Sequence, residues 1–262
     1  MRPMVSSYPD RRPLIIAHRG ASGVAPEGTR AAIRAALAAG AHMIELDVQL
    51  TRDERLVIFH DERLERTTNA QGVLSRTRYQ ALARLEHGSW FAPRFSGERI
   101  LLASQALRLL PPSYQVNLEL KHTHQAATLI QRLVQCLRWT RSLRRVLVSS
   151  FDPSLLARLH ATQPRIARAL LCRRDPKQAV RQAIALGCVA LHPHKSLVSP
   201  ALVVQAHAAG LRVSVWIVDR LDEARRLLRM GVDGLFTNVP DRLSRPGIRY
   251  PKTVSDTRRV LG

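Results

Sequence analysis

The sequence predicts an α/β fold, a closed (β/α)8 barrel of the TIM type with a small insertion after its second strand. Three observations carry that expectation. Short runs of Val, Ile and Leu bounded by Gly, Pro or Asn alternate with amphipathic helical patterns almost to the end of the chain. Glycines stand just past several of those helices, where a left-handed cap closes the last turn. A length of 262 residues suits one barrel of this kind. Eight strands alternating with helices favour a closed barrel over an open doubly wound sheet.

Leu14 opens the first expected strand, 14–17, and a helix follows near 29–39 with Gly40 behind it. The second strand, 43–48, reads "MIELDV" and is apolar at every other position. A helix near 102–110 precedes the third strand, 115–120, and a helix near 125–139 precedes the fourth, 146–150. Asp152-Pro153 and Asp175-Pro176 read as N-caps followed by proline in the first turn, starting helices near 153–161 and 176–186. Strands near 167–171 and 188–191 follow those starts in alternation, with Gly187 as the second helix's cap. Ser199-Pro200 starts a helix near 199–209 that ends at Gly210, before a strand near 212–217. The last helix, near 221–230, ends at Gly231, and the last strand is 234–237. Residues 61–100 break this rhythm: they are polar, rich in Arg and turn residues, and too long for an ordinary connection, as an insertion over one end of a barrel would be. The division expected is an extension at 1–13, the barrel at 14–246 and a tail at 247–262.

Composition narrows the function classes. The N-terminus has no apolar run followed by a cleavage site, and no eighteen apolar residues run together, so neither a signal peptide nor a spanning helix is expected. Cys136, Cys172 and Cys188 lack CxxC spacing and read as reduced thiols of a cytoplasmic protein. The net charge of +21 invites an anionic partner, but only four of the 41 basic residues are lysines, and the arginines are scattered from end to end. With aromatics at 5% and no compact basic cluster among them, a nucleic-acid partner is not expected. A basic surface would instead suit anionic substrates or peripheral contact with anionic bilayers. Nothing in the sequence sets the oligomeric state.

The chemistry-bearing residues sit where strands end. Glu45 and Asp47 are two apart on one strand, so both face the barrel interior, opposite Ile44, Leu46 and Val48. Buried carboxylates side by side repel each other and are costly to desolvate unless a cation neutralises them. In "VNLELKH", Asn117, Glu119 and Lys121 share a strand face, which makes Glu119 a candidate third ligand for a hard cation such as Mg²⁺ or Ca²⁺. His18 ends the first strand and His60 ends "LVIFH". Both are candidates for acid–base work at the mouth, with metal ligation as the alternative. Arg19 is placed to grip a phosphate through a fork of hydrogen bonds.

The stretch "AHRGASGVAPEGTRAAIRAALAAGAHMIELDVQLTRDERLVIFHDERLERTTNAQG" resembles the glycerophosphodiester phosphodiesterases. Their ordered signature is His-Arg-Gly, Pro-Glu-Asn-Thr, Glu-x-Asp on a strand, and His-Asp with Arg-Thr-Thr behind it. The likeness continues through "NLELK", "SSFDP", "VSVWIVD" and "GLFTNVPD". The resemblance implies a barrel with a small insertion after the second strand. It also implies metal-dependent cleavage of glycerophosphodiesters to sn-glycerol 3-phosphate and an alcohol, within lipid metabolism. By matching position, it makes His18 and His60 the acid–base pair. Glu45, Asp47 and Glu119 become ligands of one divalent ion, while Arg19 and Lys121 contact the phosphate. Trp216 would wall the substrate pocket or serve as a core aromatic. Asp61 would steady His60 or cap its loop, and Glu27 would brace Arg19 or the first loop. The attacking oxygen, from water or the glycerol 2-hydroxyl, stays open, as does the leaving alcohol. Gly28 stands where the signature has Asn. Leu101 and Gln105 stand where the family has Pro and Glu, which bears on head-group specificity. Two other readings are a lipid-acting barrel of the lysophospholipase D type and a non-enzymatic barrel binding nucleic acid.

Overall fold

A computed structural model describes residues 13–244; the expected tail at 247–262, and all of the expected extension except Pro13, lie outside them. Strand and helix alternate through β1 (Leu14–Ala17), α1 (Arg30–Ala38), β2 (Met43–Leu50), β3 (Leu56–Ile58), α2 (Tyr79–Leu82), α3 (Ala103–Leu109) and β4 (Gln115–Leu120). They continue through α4 (Ala126–Trp139), β5 (Val146–Ser150), α5 (Pro153–Thr162), β6 (Ala167–Cys172), α6 (Pro176–Ala185) and β7 (Ala190–Pro193). The chain then forms α7 (Pro200–Ala208), β8 (Arg212–Val215), α8 (Leu221–Arg229), β9 (Gly234–Thr237) and α9 (Pro240–Leu243). Strand β1 pairs in parallel with both β9 and β2, so the eight parallel strands close into a barrel in the order β1-β9-β8-β7-β6-β5-β4-β2.

Local signals place the helices. Asp152, Asp175 and Ser199 accept hydrogen bonds from the backbone N–H groups of Ser154, Gln178 and Leu202, and a proline opens each helix behind them. Thr29 does the same for α1. At the other end of α1, Gly40 has φ +70°, its N–H bonds to Leu37 O and that of Ala41 bonds to Ala36 O. This pair of bonds satisfies two carbonyls that the helix leaves open, and it needs a residue free to enter the left-handed region. In α4 the buried residues Leu129, Ile130, Leu133, Val134 and Leu137 form one stripe against the barrel.

The register separates inside from outside. Residues matched on neighbouring parallel strands share a face. Asp47 is matched to Glu119, Glu119 to Ser149 and Ser149 to Ala169, which traces the inner wall. The intervening Ile44, Leu46, Val48, Val116, Leu118 and Val148 join the apolar cluster shared with the helices. Ile16, Met43 and Phe236 form a separate apolar cluster inside the barrel. The interior is therefore apolar at its floor and polar toward the C-terminal ends of the strands, where barrel active sites are built.

One strand was not among those expected. β2 runs on to Leu50, past the expected end at 48, and β3 folds back on it in antiparallel register, Leu50 opposite Leu56 and Val48 opposite Ile58. Three residues are too short to show a period, and their pairing is local rather than part of the barrel. Beyond β3, residues 61–100 carry α2 and two short 3₁₀ turns, and Leu64, Leu74, Leu82 and Ile100 pack with Val57 and Phe59 in a cluster of their own. The three cysteines are free thiols. Among the described residues no helix is long and apolar enough to cross a membrane.

Candidate active site

Strands β2 and β4 bring three carboxylates to the inner wall. One oxygen each of Glu45, Asp47 and Glu119 lies within 4.8 Å of the others. Glu45 is 1% exposed and Asp47 3%. Burial and the neighbouring Asp47 and Glu119 push the Glu45 carboxyl well above the usual carboxylate range. Burial also works to raise Asp47, but the Lys121 ammonium and Arg19 guanidinium outweigh it and hold the group down to about 2. Lys121, just past β4, places Nζ 2.7 Å from Asp47 Oδ1 and donates to Glu119 Oε1. Three carboxylates face only Arg19 and Lys121, of which Arg19 is shared with Glu27, and Glu45 Oε1 is buried without a hydrogen-bond partner. An all-oxygen set with an orphaned carboxylate oxygen fits a hard divalent cation.

His18 and Arg19 follow β1 directly. Arg19 has φ +56°, an uncommon conformation for a side chain of its size. That turn lets its backbone N–H donate to Glu45 Oε2 at 2.9 Å while its Nη1 donates to Glu27 Oε1 at 3.0 Å. Its Nε lies 3.2 Å from Asp47 Oδ2, close enough for an ion pair but without hydrogen-bond alignment. Gly20 completes the turn at φ +82°; a Cβ there would lie 2.7 Å from the carbonyl carbon of Ala32 in α1. His18 Nδ1 sits 2.8 Å from Asn238 Oδ1. Asn238 has no freedom to flip, because its Nδ2 donates to Asp219 Oδ2 at 2.7 Å and its backbone N–H to Asp219 Oδ1 at 2.8 Å. Its carbonyl oxygen therefore faces His18 and fixes the proton on Nδ1, leaving Nε2 as the basic nitrogen. Burial, followed by the Arg19 charge, lowers His18 to about 4.

His60 reaches the same site by a different route from the one expected. It follows β3, which is not a barrel strand: the hairpin rises above the rim along β2 and returns, so that Phe59 N–H bonds to Asp47 O. Gln49 Nε2 clamps the return by donating to Phe59 O and Asp61 O, at 2.9 and 2.8 Å. His60 Nδ1 is hydrogen-bonded to Asp61 Oδ1, and Asp61 Oδ2 accepts from Arg66 Nε. The two remaining nitrogens of Arg66 grip Glu27 at 2.9 and 2.6 Å. Arg66 thus ties the partner of His60 to the partner of Arg19. Burial lowers His60, helped by the charges of Lys121 and Arg19 and opposed by Asp47 and Asp61.

Trp216 stands on the other side of the mouth, just past β8. Its Nε1 donates to His192 O at 2.8 Å, and its ring packs against the floor cluster. It also meets Phe151 edge-on at 5.5 Å and His194 at 4.9 Å. It is half-buried. Arg19, Glu27, Glu45, Asp47, Glu119 and Lys121 form one network of contacts, Arg66 links Asp61 and His60 to it, and His18 adjoins it as the chain neighbour of Arg19 with its ring on Asn238. The sequence alone assigns no role to Asn238, Asp219 or Arg66, although each lies in a stretch that resembles the family. Gln105 does not belong to the network: its Oε1 accepts from Leu102 N–H at 2.9 Å, capping α3, and Leu101 is buried in the main core.

The chain matches the model of the glycerophosphoryl diester phosphodiesterase family over residues 18–242. It is 34% identical over 232 residues to a glycerophosphodiester phosphodiesterase of Caldanaerobacter subterraneus subsp. tengcongensis, covering 88% of this chain and 96% of that one. A glycerophosphodiester phosphodiesterase of Bacillus altitudinis is 34% identical over 233 residues, covering 87% and 95%. Among solved structures, an Oleispira antarctica phosphodiesterase in complex with its product sn-glycerol-3-phosphate superposes with a TM-score of 0.83. It shares 31% identity and covers 89% of this chain and 96% of its own. A glycerophosphodiester phosphodiesterase from Agrobacterium tumefaciens gives 0.76 at 27% identity, covering 88% and 98%.

Proposed function

The chain belongs to the glycerophosphoryl diester phosphodiesterase family and is a phosphoric diester hydrolase; from that premise we propose that it cleaves glycerophosphodiesters to sn-glycerol 3-phosphate and an alcohol, with one divalent ion and two histidines. The observation that carries this reading is the set of three buried carboxylates beside Arg19 and Lys121 at the end of the strands that carry them. Glu45, Asp47 and Glu119 would hold the ion, Mg²⁺ or Ca²⁺. When bound, such an ion supplies Lewis-acid stabilisation of charge on the phosphoryl oxygens.

Arg19 and Lys121 orient that diester through charge-assisted hydrogen bonds, and they stabilise the extra charge of the transition state in a site shielded from water. His18 is the base. Its Nε2 lone pair accepts the proton of the attacking hydroxyl, and Asn238 stabilises the imidazolium through Nδ1–H. His60 is the acid: its hydrogen bond to Asp61 opposes the lowering that burial imposes, and the protonated ring gives its proton to the departing alkoxide as the phosphorus–oxygen bond breaks. Release of sn-glycerol 3-phosphate from glycerophosphodiesters, with and without EDTA, tests the reading. Chelation and His18→Ala should each lower kcat/KM by about 100-fold or more. Full activity in either case overturns the mechanism. Calorimetric titration of Mg²⁺ or Ca²⁺ into the wild type and Glu119→Gln tests the ligands independently of turnover.

A further inference from the structure

Four side chains that follow consecutive barrel strands line the mouth opposite the histidines: Phe151 after β5, Arg173 after β6, His194 after β7 and Trp216 after β8. The Arg173 guanidinium lies over the Phe151 ring, 4.1 Å from its centroid, and 5.9 Å from that of Trp216. The rings themselves are held edge-on to each other at 87°. An aromatic wall of this shape is the usual means of binding a quaternary ammonium, whose charge sits on the ring faces. Here the protein's own cation already takes that position.

The carboxylates around the wall are committed to partners other than Arg173. Asp152 is held by His122 and Ser154, Glu223 by Lys195, and Asp219 by Asn238 and Thr237. Asp175 caps α6. Among the described residues Arg173 makes no ion pair. A substituent that extends from the phosphate across the mouth therefore meets an exposed guanidinium with its hydrogen-bond donors free.

We propose that Arg173, stacked on Phe151 beside Trp216, makes this enzyme select diesters whose leaving alcohol carries an anionic group, a carboxylate or a second phosphate, and reject those carrying a quaternary ammonium. The selection rests on the glycerophosphodiester reading of the site. Arg173 donates to the head-group anion, while a trimethylammonium finds the ring face occupied and a like charge beside it.

The test is a comparison of kcat/KM for deacylated cardiolipin, whose leaving alcohol carries a second phosphodiester, and for glycerophosphocholine, in metal-supplemented buffer of low ionic strength. Wild-type enzyme should favour the first by about ten-fold or more, and the ratio should shrink as salt is raised. Arg173→Gln should collapse the ratio by about ten-fold, the size of one charge contact worth about 1.4 kcal/mol. Arg173→Lys, which keeps the charge, should retain most of the preference. Arg181→Gln, which removes an exposed charge on α6, should leave the ratio unchanged. A wild-type ratio near one, a preference for glycerophosphocholine, or an Arg173→Gln ratio equal to the wild type's would overturn the selection while leaving diester hydrolysis in place. Failure to cleave any glycerophosphodiester would instead overturn the functional reading and the selection with it.

Discussion

Asn238 decides which nitrogen of His18 carries the proton, and it does so from 220 residues away in the chain. Asn238→Ala should lower kcat by about 10–100-fold with little change in KM, because the phosphate contacts proposed for Arg19 and Lys121 would remain. Asn238→Asp should act differently. A carboxylate beside Nδ1 raises the pKa of His18 from about 4, so the neutral ring needed as base appears only at higher pH. The acid limb of the kcat/KM profile should move upward in that variant, and an unmoved limb would remove Asn238 from its positioning role. His192 carries a prediction about stability rather than rate. It is fully buried in the barrel, its Nδ1 has no partner, its ring meets Phe236 at 4.9 Å, and burial pushes it down to about 3. Between pH 3 and the ordinary value of 6.5 the unfolded chain binds a proton there and the folded chain does not. Stability from this group is therefore whole above pH 6.5 and lost as pH falls, on the order of 5 kcal/mol by pH 3. Urea unfolding between pH 4 and 7 should show a shallower loss for His192→Gln than for the wild type.

At the scale of elements, the turn from β1 into α1 explains why one departure from the family signature is tolerated. Gly28 has φ +68°, in the left-handed region that Asn also visits, so the backbone of the loop survives the exchange. An added Cβ would come 3.1 Å from the Ile58 Cγ2 methyl, a contact that a small shift of β3 relieves. Gly28→Asn should therefore keep kcat/KM within about three-fold and stability within about 1 kcal/mol. Gly20→Ala should fail by contrast. Its Cβ meets the Ala32 backbone at φ +82°, and displacing either α1 or the turn costs about 2 kcal/mol or more and unseats Arg19. A melt and a rate for each variant separate the two glycines. Most elements were legible because their signals are local: β1 and β5 are compact apolar runs, and α5, α6 and α7 announce themselves by an N-cap and a proline. The hairpin of β2 and β3 was not, since a three-residue strand has no period. That hidden element is what carries His60 to Asp47. Glu45 and Asp47 on β2, and Glu119 on β4, could be read from alternation within each strand. Arg66, Asp219 and Asn238 could not, because each acts through a side chain that only the closed fold brings near.

For the whole molecule, closure of β1 on β9 and β2 concentrates charge where a folded chain alone can least tolerate it. Three carboxylates share the inner wall, only two cations face them, and burial denies them water. A divalent ion that binds the folded state and not the unfolded one adds stability by mass action, about 2.7 kcal/mol at a hundred times its dissociation constant. In a domain of this size that corresponds to roughly 5–10 °C in Tm. Protons compete with the ion for Glu45, whose carboxyl is pushed upward, so the gain should weaken as pH falls. Glu45→Gln then has two effects of opposite sign. In EDTA it removes a repelling charge and should raise Tm above that of the wild type, because the amide oxygen that replaces the carboxylate can still accept the Arg19 N–H bond. In Mg²⁺ or Ca²⁺ it removes a ligand, so the rise seen in the wild type should largely disappear. Crossed curves, with the variant more stable without metal and less stable with it, are the expected thermal-unfolding result. Parallel curves would mean that Glu45 is a structural acid rather than part of a metal site.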